Sequence, residues 1–327
     1  MPDQAQGLRT LADQSRITVN APSPYIEDEN VSSQYAVVEK SYDKISSKIT
    51  QAVRVIAVTS GKGGVGKTNF STNLALTLAY RKRRVTVVDA DLGLANLHVI
   101  LGITPHFTLE HVLRGERTLE EALYTGPLGI RILGGASGIA DMANLDSSRR
   151  DILISALQNL DRSTDILLLD TGAGVSDSVL SFLSAAQEVL VVTTPEPTAL
   201  TDAYATIKTV VRQNPDAIFR LVVNMSRSQS EGDAVANRLK NIADRFLQKK
   251  IEYLGQIPYD VAVPKAVRAQ QPFVLSDPRC LAAQAIRSIA DTLIAPEELP
   301  AQGAGLSDLL SRMHGFFTRR VERGGRG

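Results

Sequence analysis

Residues 53–68 read VRVIAVTSGKGGVGKT, an apolar β-branched run that breaks into a glycine-rich turn. The eleven residues that follow, NFSTNLALTLA, carry Leu74 and Leu78 at helical spacing. Strand, tight turn and helix in that order place the chain among α/β proteins with a mostly parallel sheet covered on both faces. The turn has the spacing G-x-x-x-x-G-K-[ST] at Gly61, Gly66, Lys67 and Thr68. Its physical meaning is a phosphate cradle. Backbone N–H groups of Gly61, Lys62, Gly63, Gly64, Val65 and Gly66 turn inward, and the helix beginning near Asn69 offers its positive end. Lys67 is placed to reach the β- and γ-phosphates of ATP or ADP, and the Thr68 hydroxyl to hold Mg²⁺. Lys62 adds a second ammonium at a position where such loops tolerate almost any residue.

The same alternation continues along the chain. Apolar strand patterns fall at residues 53–59, 85–89, 130–133, 165–170, 189–194, 218–224 and 251–257. Helical patterns lie between most of them, among others at 148–160, 176–186, 200–212 and 234–247. A single main domain over residues 51–294 accounts for this. Residues 1–50 are polar and too poor in apolar groups to repay ordering. They hold one short helical island near 3–12, where Asp3 and Gln6 resemble a capping box and Leu8 with Leu11 forms a stripe. After Ile294 a Pro/Gly-rich linker leads to a last helix within 295–327. There Leu306, Leu309, Leu310, Met313, Phe316 and Phe317 share one face, with Arg312, Arg319 and Arg320 on or beside the other. Gly315 costs this helix about 1 kcal/mol relative to alanine, so it should form fully only against a surface, a membrane or its own domain.

Two strand ends carry the remaining chemistry. The strand ILLLD ends at Asp170, an apolar run closed by an acid and suited to support Mg²⁺. Thr171-Gly172-Ala173-Gly174 follows, able to move when a γ-phosphate leaves. The strand VTVVD ends at Asp89, and Asp91 follows with the same orientation on extended backbone. Asp89 can brace the metal shell and Asp91 can orient water. The single cysteine, Cys280, excludes a disulfide framework or a CxxC site and favours a cytoplasmic setting. The four histidines, His98, His106, His111 and His314, lack zinc-ligand spacing. A net charge of +1 gives no global pull toward nucleic acid.

With Lys62 in the loop, the Asp89-Ala90-Asp91 segment and the Asp170-to-Gly174 switch, residues 52–294 resemble the MinD/ParA class of deviant Walker A ATPases. The resemblance implies slow ATP hydrolysis and a homodimer in which Lys62 reaches the partner's phosphates, with Lys62, Lys67 and Asp91 catalytic. It also implies adenine binding near Asn224 and Pro258-Tyr259-Asp260, although Asn224 and Pro258 taken singly read equally well as turn residues. Asp3-Gln4-Ala5 with Leu8-Arg9 is similar to the D-Q-A-x-x-L-R element of the FlhG/FleN (YlxH) group, regulators of flagellar number and placement. In that group the element stimulates an FlhF-type GTPase. The terminal helix is similar to the group's membrane-targeting helix.

The resemblance therefore implies an ATP-switched regulator, cytoplasmic and bound to the inner, anionic membrane face when ATP-bound. Its partners would be an FlhF-type GTPase and flagellar switch or C-ring proteins or a transcription regulator. A DNA-partitioning ATPase of the ParA kind would need a basic surface that the dispersed arginines do not offer. A MinD-type division-site regulator is a further alternative. An iron–sulfur carrier of the same superfamily would bridge its cluster with two cysteines per chain, which Cys280 alone cannot supply.

Overall fold

The computed structural model describes residues 53–91, 97–134, 160, 163–295, 309, 312 and 313. The chain divides into two units at residues 50 and 51, and all described residues belong to the second. That unit opens with β1 (Arg54–Ser60), α1 (Lys67–Tyr80) and β2 (Val85–Ala90). Three short helices follow, α2 (Leu97–Leu101), α3 (Leu109–Leu113) and α4 (Leu119–Ala122), then β3 (Leu123–Thr125) and β4 (Arg131–Leu133). The second half runs β5 (Ile166–Ala173), α5 (Asp177–Ala185), β6 (Glu188–Thr193), α6 (Pro197–Gln213), β7 (Ile218–Ser226), α7 (Gln229–Leu247) and β8 (Ile251–Pro258). It closes with α8 (Ala262–Arg268), α9 (Phe273–Ser276) and α10 (Leu281–Leu293).

The strands form one sheet in the order β3-β4-β2-β5-β1-β6-β7-β8, parallel except for β3, which pairs antiparallel with β4 at the edge. Strand period explains the two-faced core. Val55, Ala57, Leu167, Leu169, Val189 and Val191 face one cluster, filled by α3, α5, α6 and α7. Ile56, Val58, Ile166, Leu168, Leu190 and Val192 face the other, filled by α1, α8, α9 and α10. The expected strands are all present, with shifted ends. The 148–160 helix lies outside the described residues apart from Leu160, which is helical and buried.

Helix α1 is buried nearly all round, so its polar residues need partners inside the helix. Ser71, Thr72 and Thr77 each donate to the carbonyl four residues back, at 2.8–3.1 Å. Such back-bonding lets polar side chains sit at the sheet without stranded hydroxyls. At the opposite end of the sheet from the glycine loop, Glu188 at the start of β6 is fully buried. It accepts from Arg54 of β1 and from Arg220 Nε of β7 at 2.8 Å, and Arg220 also pairs with Glu252 of β8. Two cations and two anions balance there, which makes burial of the charges tolerable.

Candidate functional site

Parallel pairing brings the chemistry to the carboxyl ends of the central strands. Asp89 on β2 stands directly opposite Asp170 on β5, and the glycine loop follows the adjacent β1. The loop is held by close backbone contacts. A Cβ on Gly61 would lie 2.1 Å from the Asp202 carbonyl carbon of α6, so no side chain fits there. Gly66 has φ of 85°, and a Cβ on it would stand 2.6 Å from Asn224 Nδ2. That same Asn224 amide donates to the Val65 carbonyl at 2.8 Å. Asn224 thus braces the loop from the end of β7. Pro258 pairs with Ser226 in the β7–β8 register, and Tyr259 N donates to Ser226 O, so 224–226 and 258–259 share one corner.

Lys67 opens α1, with its side chain 7% exposed. Its ammonium lies 3.0 Å from Asp170 Oδ1, an oxygen that also accepts from Ser71 Oγ at 2.8 Å. Asp170 Oδ2 is buried with no hydrogen-bond partner among the described residues. A buried carboxylate oxygen without a donor is costly, and a hydrated cation beside it would relieve that cost. Among the described residues no three His, Cys, Asp or Glu are gathered as a metal cage. Mg²⁺ on a nucleotide does not need one, since it takes one or two carboxylates and phosphate oxygens. Thr68, Asp89 and Asp170 fit that pattern, and the glycine cradle fits the phosphates.

Asp89 is buried, and burial followed by the nearby Asp170 charge pushes its carboxyl up to about 6. Its oxygens accept from the backbone N–H groups of Asp91 and Leu97 at 3.2 and 3.4 Å. Asp91 is partly exposed and faces the switch, since a Cβ on Gly172 would lie 3.5 Å from its Oδ1. The switch is tied to the loop by Gly174 N donating to Ser60 O at 2.8 Å, with Gly174 at φ 87°. Asp260 serves as a helix bracket: Oδ1 accepts from Ala262 N and Oδ2 from Ala282 N, capping α8 and α10. Tyr259 beside it is 64% exposed. Gly63, Gly64 and Asn69 lie in the described loop and first helical turn.

Lys62 stands apart from this centre. Its ammonium is 2.8 Å from Glu196 Oε2 and 3.4 Å from Thr198 Oγ1, at the start of α6. Glu196 and Ser71 were not among the residues expected at the site. The Thr-Thr-Pro-Glu-Pro segment at the carboxyl end of β6 holds a usable signal, because ligand loops follow strand carboxyl ends. Of the expected membrane face, Leu309 and Met313 are described, and both are buried in the cluster beneath α3, α5, α6 and α7. Leu306, Leu310, Phe316 and Phe317 lie outside the described residues, as do Asp3, Gln4, Ala5, Leu8 and Arg9. No helix among the described residues is long and apolar enough to cross a membrane.

Residues 56–273 match the family described as the CobQ/CobB/MinD/ParA nucleotide binding domain. The chain belongs to this family, in its FlhG/FleN group. It is 47% identical over 253 residues to the antiactivator FleN of Pseudomonas aeruginosa, covering 77% of this chain and 90% of that protein. It is 37% identical over 249 residues to the flagellum site-determining protein YlxH of Helicobacter pylori, covering 76% and 84%. Among solved structures it is similar to the septum site-determining protein MinD of Pyrococcus horikoshii complexed with Mg-ADP. That likeness has a TM-score of 0.59 and 27% identity, over 74% of this chain and 96% of that one.

Proposed function

We propose that this chain is an ATP-switched ATPase that regulates flagellar number or placement, built as residues 1–50, 51–294 and 295–327 with separate tasks. The observation that carries the switch is the contrast between its two loop lysines. Lys67 is buried against Asp170, inside its own site, whereas Lys62 is 43% exposed and held at the rim. A lysine at the rim, held by an exposed carboxylate, is placed to serve the phosphates of a second subunit. The relatives' roles, antiactivator and flagellum site-determining protein, support the flagellar assignment.

ATP and Mg²⁺ together supply the scissile phosphoanhydride and a charge that offsets the anionic oxygens. Lys67 and the Gly61–Thr68 backbone hold the phosphates, and Thr68, Asp89 and Asp170 hold the metal. Asp91, beside Gly172, orients the attacking water. Lys62 of each subunit stabilises charge on the other's transferring phosphoryl group, as an arginine finger does. Asn224, Pro258 and Tyr259 form the corner that takes the adenine.

The ends translate the dimer into location. With Leu309 and Met313 seated in the core, the terminal helix must leave its domain before its apolar face meets an anionic membrane. Two such helices on one dimer gain from effective concentration. The N-terminal element, Asp3 to Arg9, stimulates an FlhF-type GTPase, and flagellar switch proteins or a transcription regulator are further partners. The test is twofold. Sedimentation with a non-hydrolysable ATP analogue should give a dimer, and with ADP a monomer. Removing residues 1–12 should spare ATP turnover yet erase stimulation of the partner's GTP turnover. Unchanged stimulation would refute the role of the N-terminal element.

A further inference from the structure

Lys62 has a fixed base and a movable head. Ser60 Oγ donates to the Lys62 carbonyl at 2.9 Å, and the preceding Gly61 is wedged against the Asp202–Ala203 backbone. The backbone of Lys62 therefore cannot shift without disturbing α6. Its side chain can, and it is presently committed to Glu196 and Thr198. The hydrogen bond and charge of Glu196, with Asp202 behind it, hold the ammonium firmly protonated.

Among the described residues, Lys62 is the one hydrogen-bond and ion-pair partner of the Glu196 carboxylate. Glu196 occupies the N-cap position of α6, but its side chain makes no capping hydrogen bond. Its carboxylate is 64% exposed. The geometry points to Glu196 as a positioning residue, a latch that keeps the Lys62 ammonium on its own subunit until a partner's phosphates compete for it. This rests on the dimer reading above and deepens it. The latch sets a threshold: a partner site without a γ-phosphate offers less anionic charge than one with it, and so competes less well with a carboxylate already in place.

The size of the effect follows from exposure. An exposed ion pair shifts an equilibrium by about 1.4- to 5-fold. A dimer must open two latches, so its dissociation constant carries the square, about 2- to 30-fold. Screening gives a signature that a change in helix packing would not. Raising salt from 0.1 M to 1 M shortens the Debye length from about 10 Å to about 3 Å and weakens an exposed latch.

The experiment is sedimentation equilibrium of the full chain with Mg²⁺ and a non-hydrolysable ATP analogue, for wild type, Glu196→Gln and Glu196→Asp, in low and high salt. The latch predicts that Glu196→Gln dimerises about 2- to 30-fold more tightly in low salt, that the gap closes in high salt, and that Glu196→Asp lies between. A Glu196→Gln chain that dimerises as wild type does, or more weakly, overturns the latch while leaving the dimer intact. A wild-type chain that stays monomeric with the analogue overturns the dimer reading itself, and the latch with it.

Discussion

Replacing Lys67 by methionine should cost the chain stability before any nucleotide is added. The Lys67 ammonium and the Asp170 carboxylate lie 3.0 Å apart with side-chain exposures of 7% and 1%. Methionine keeps the length and most of the volume but leaves Asp170 with the Ser71 hydroxyl as donor to Oδ1 and none to Oδ2. Breaking a buried pair by removing one partner costs about 3–5 kcal/mol. Lys67→Met should thus lose about 3–5 kcal/mol at pH 7. Adding Asp170→Asn should recover most of that loss, because the carboxylate left without its partner is then gone. The assay is urea unfolding of wild type, single and double variants, with the denaturant slope checked for constancy. A loss below about 1 kcal/mol, or a double variant no more stable than Lys67→Met, would refute the coupling.

Three further expectations concern other groups. Because the Asp89 carboxyl is pushed up to about 6, the folded chain holds that proton more tightly than the unfolded chain. Its contribution is present below about pH 4 and is lost as pH rises to about 6, a swing of about 3 kcal/mol; Asp89→Asn should flatten this part of the pH–stability curve, and an unchanged slope would contradict it. Among the described residues, Glu188→Gln leaves Arg54 buried with only the Leu293 carbonyl as acceptor, and Arg220 with Glu252 as its remaining carboxylate. It should lower stability by about 3–5 kcal/mol while nucleotide affinity measured on the folded fraction stays unchanged. Asp91→Ala should retain ATP binding and accumulate an ATP-bound dimer, visible by light scattering; a monomer with ATP would count against its role in orienting water.

The sheet was legible in the sequence because its strands are buried on both faces and so read as apolar runs. Their ends were not. Glu188 starts β6, yet a carboxylate there looks like solvent-facing loop until Arg54 and Arg220 are seen to bury it. Strand β5 runs on through Thr171 and Gly172, where glycine argues for a turn, because Thr171 Oγ1 donates to the Val58 carbonyl across the sheet. The antiparallel β3, Leu123–Thr125, has three residues, too few for any period to show. At the site, the loop, Asp89 and Asp170 were readable because motif spacing encodes them. Glu196 follows a strand end, where ligand loops fall, but its pairing with Lys62 was not readable, since it depends on where α6 lies against Gly61, a contact between residues distant in sequence. An amphipathic stripe reads the same whether it meets lipid or its own domain, so both remained open until Leu309 and Met313 were seen buried.

The claim that Lys62 makes half of a site, completed only by a second subunit, has a direct kinetic test. ATP turnover per subunit should be measured against protein concentration at saturating ATP and Mg²⁺. Turnover should rise with concentration to a plateau in the wild type and stay low throughout for Lys62→Ala. Turnover per subunit that is independent of concentration, down to dilutions at which sedimentation shows only monomer, would contradict it.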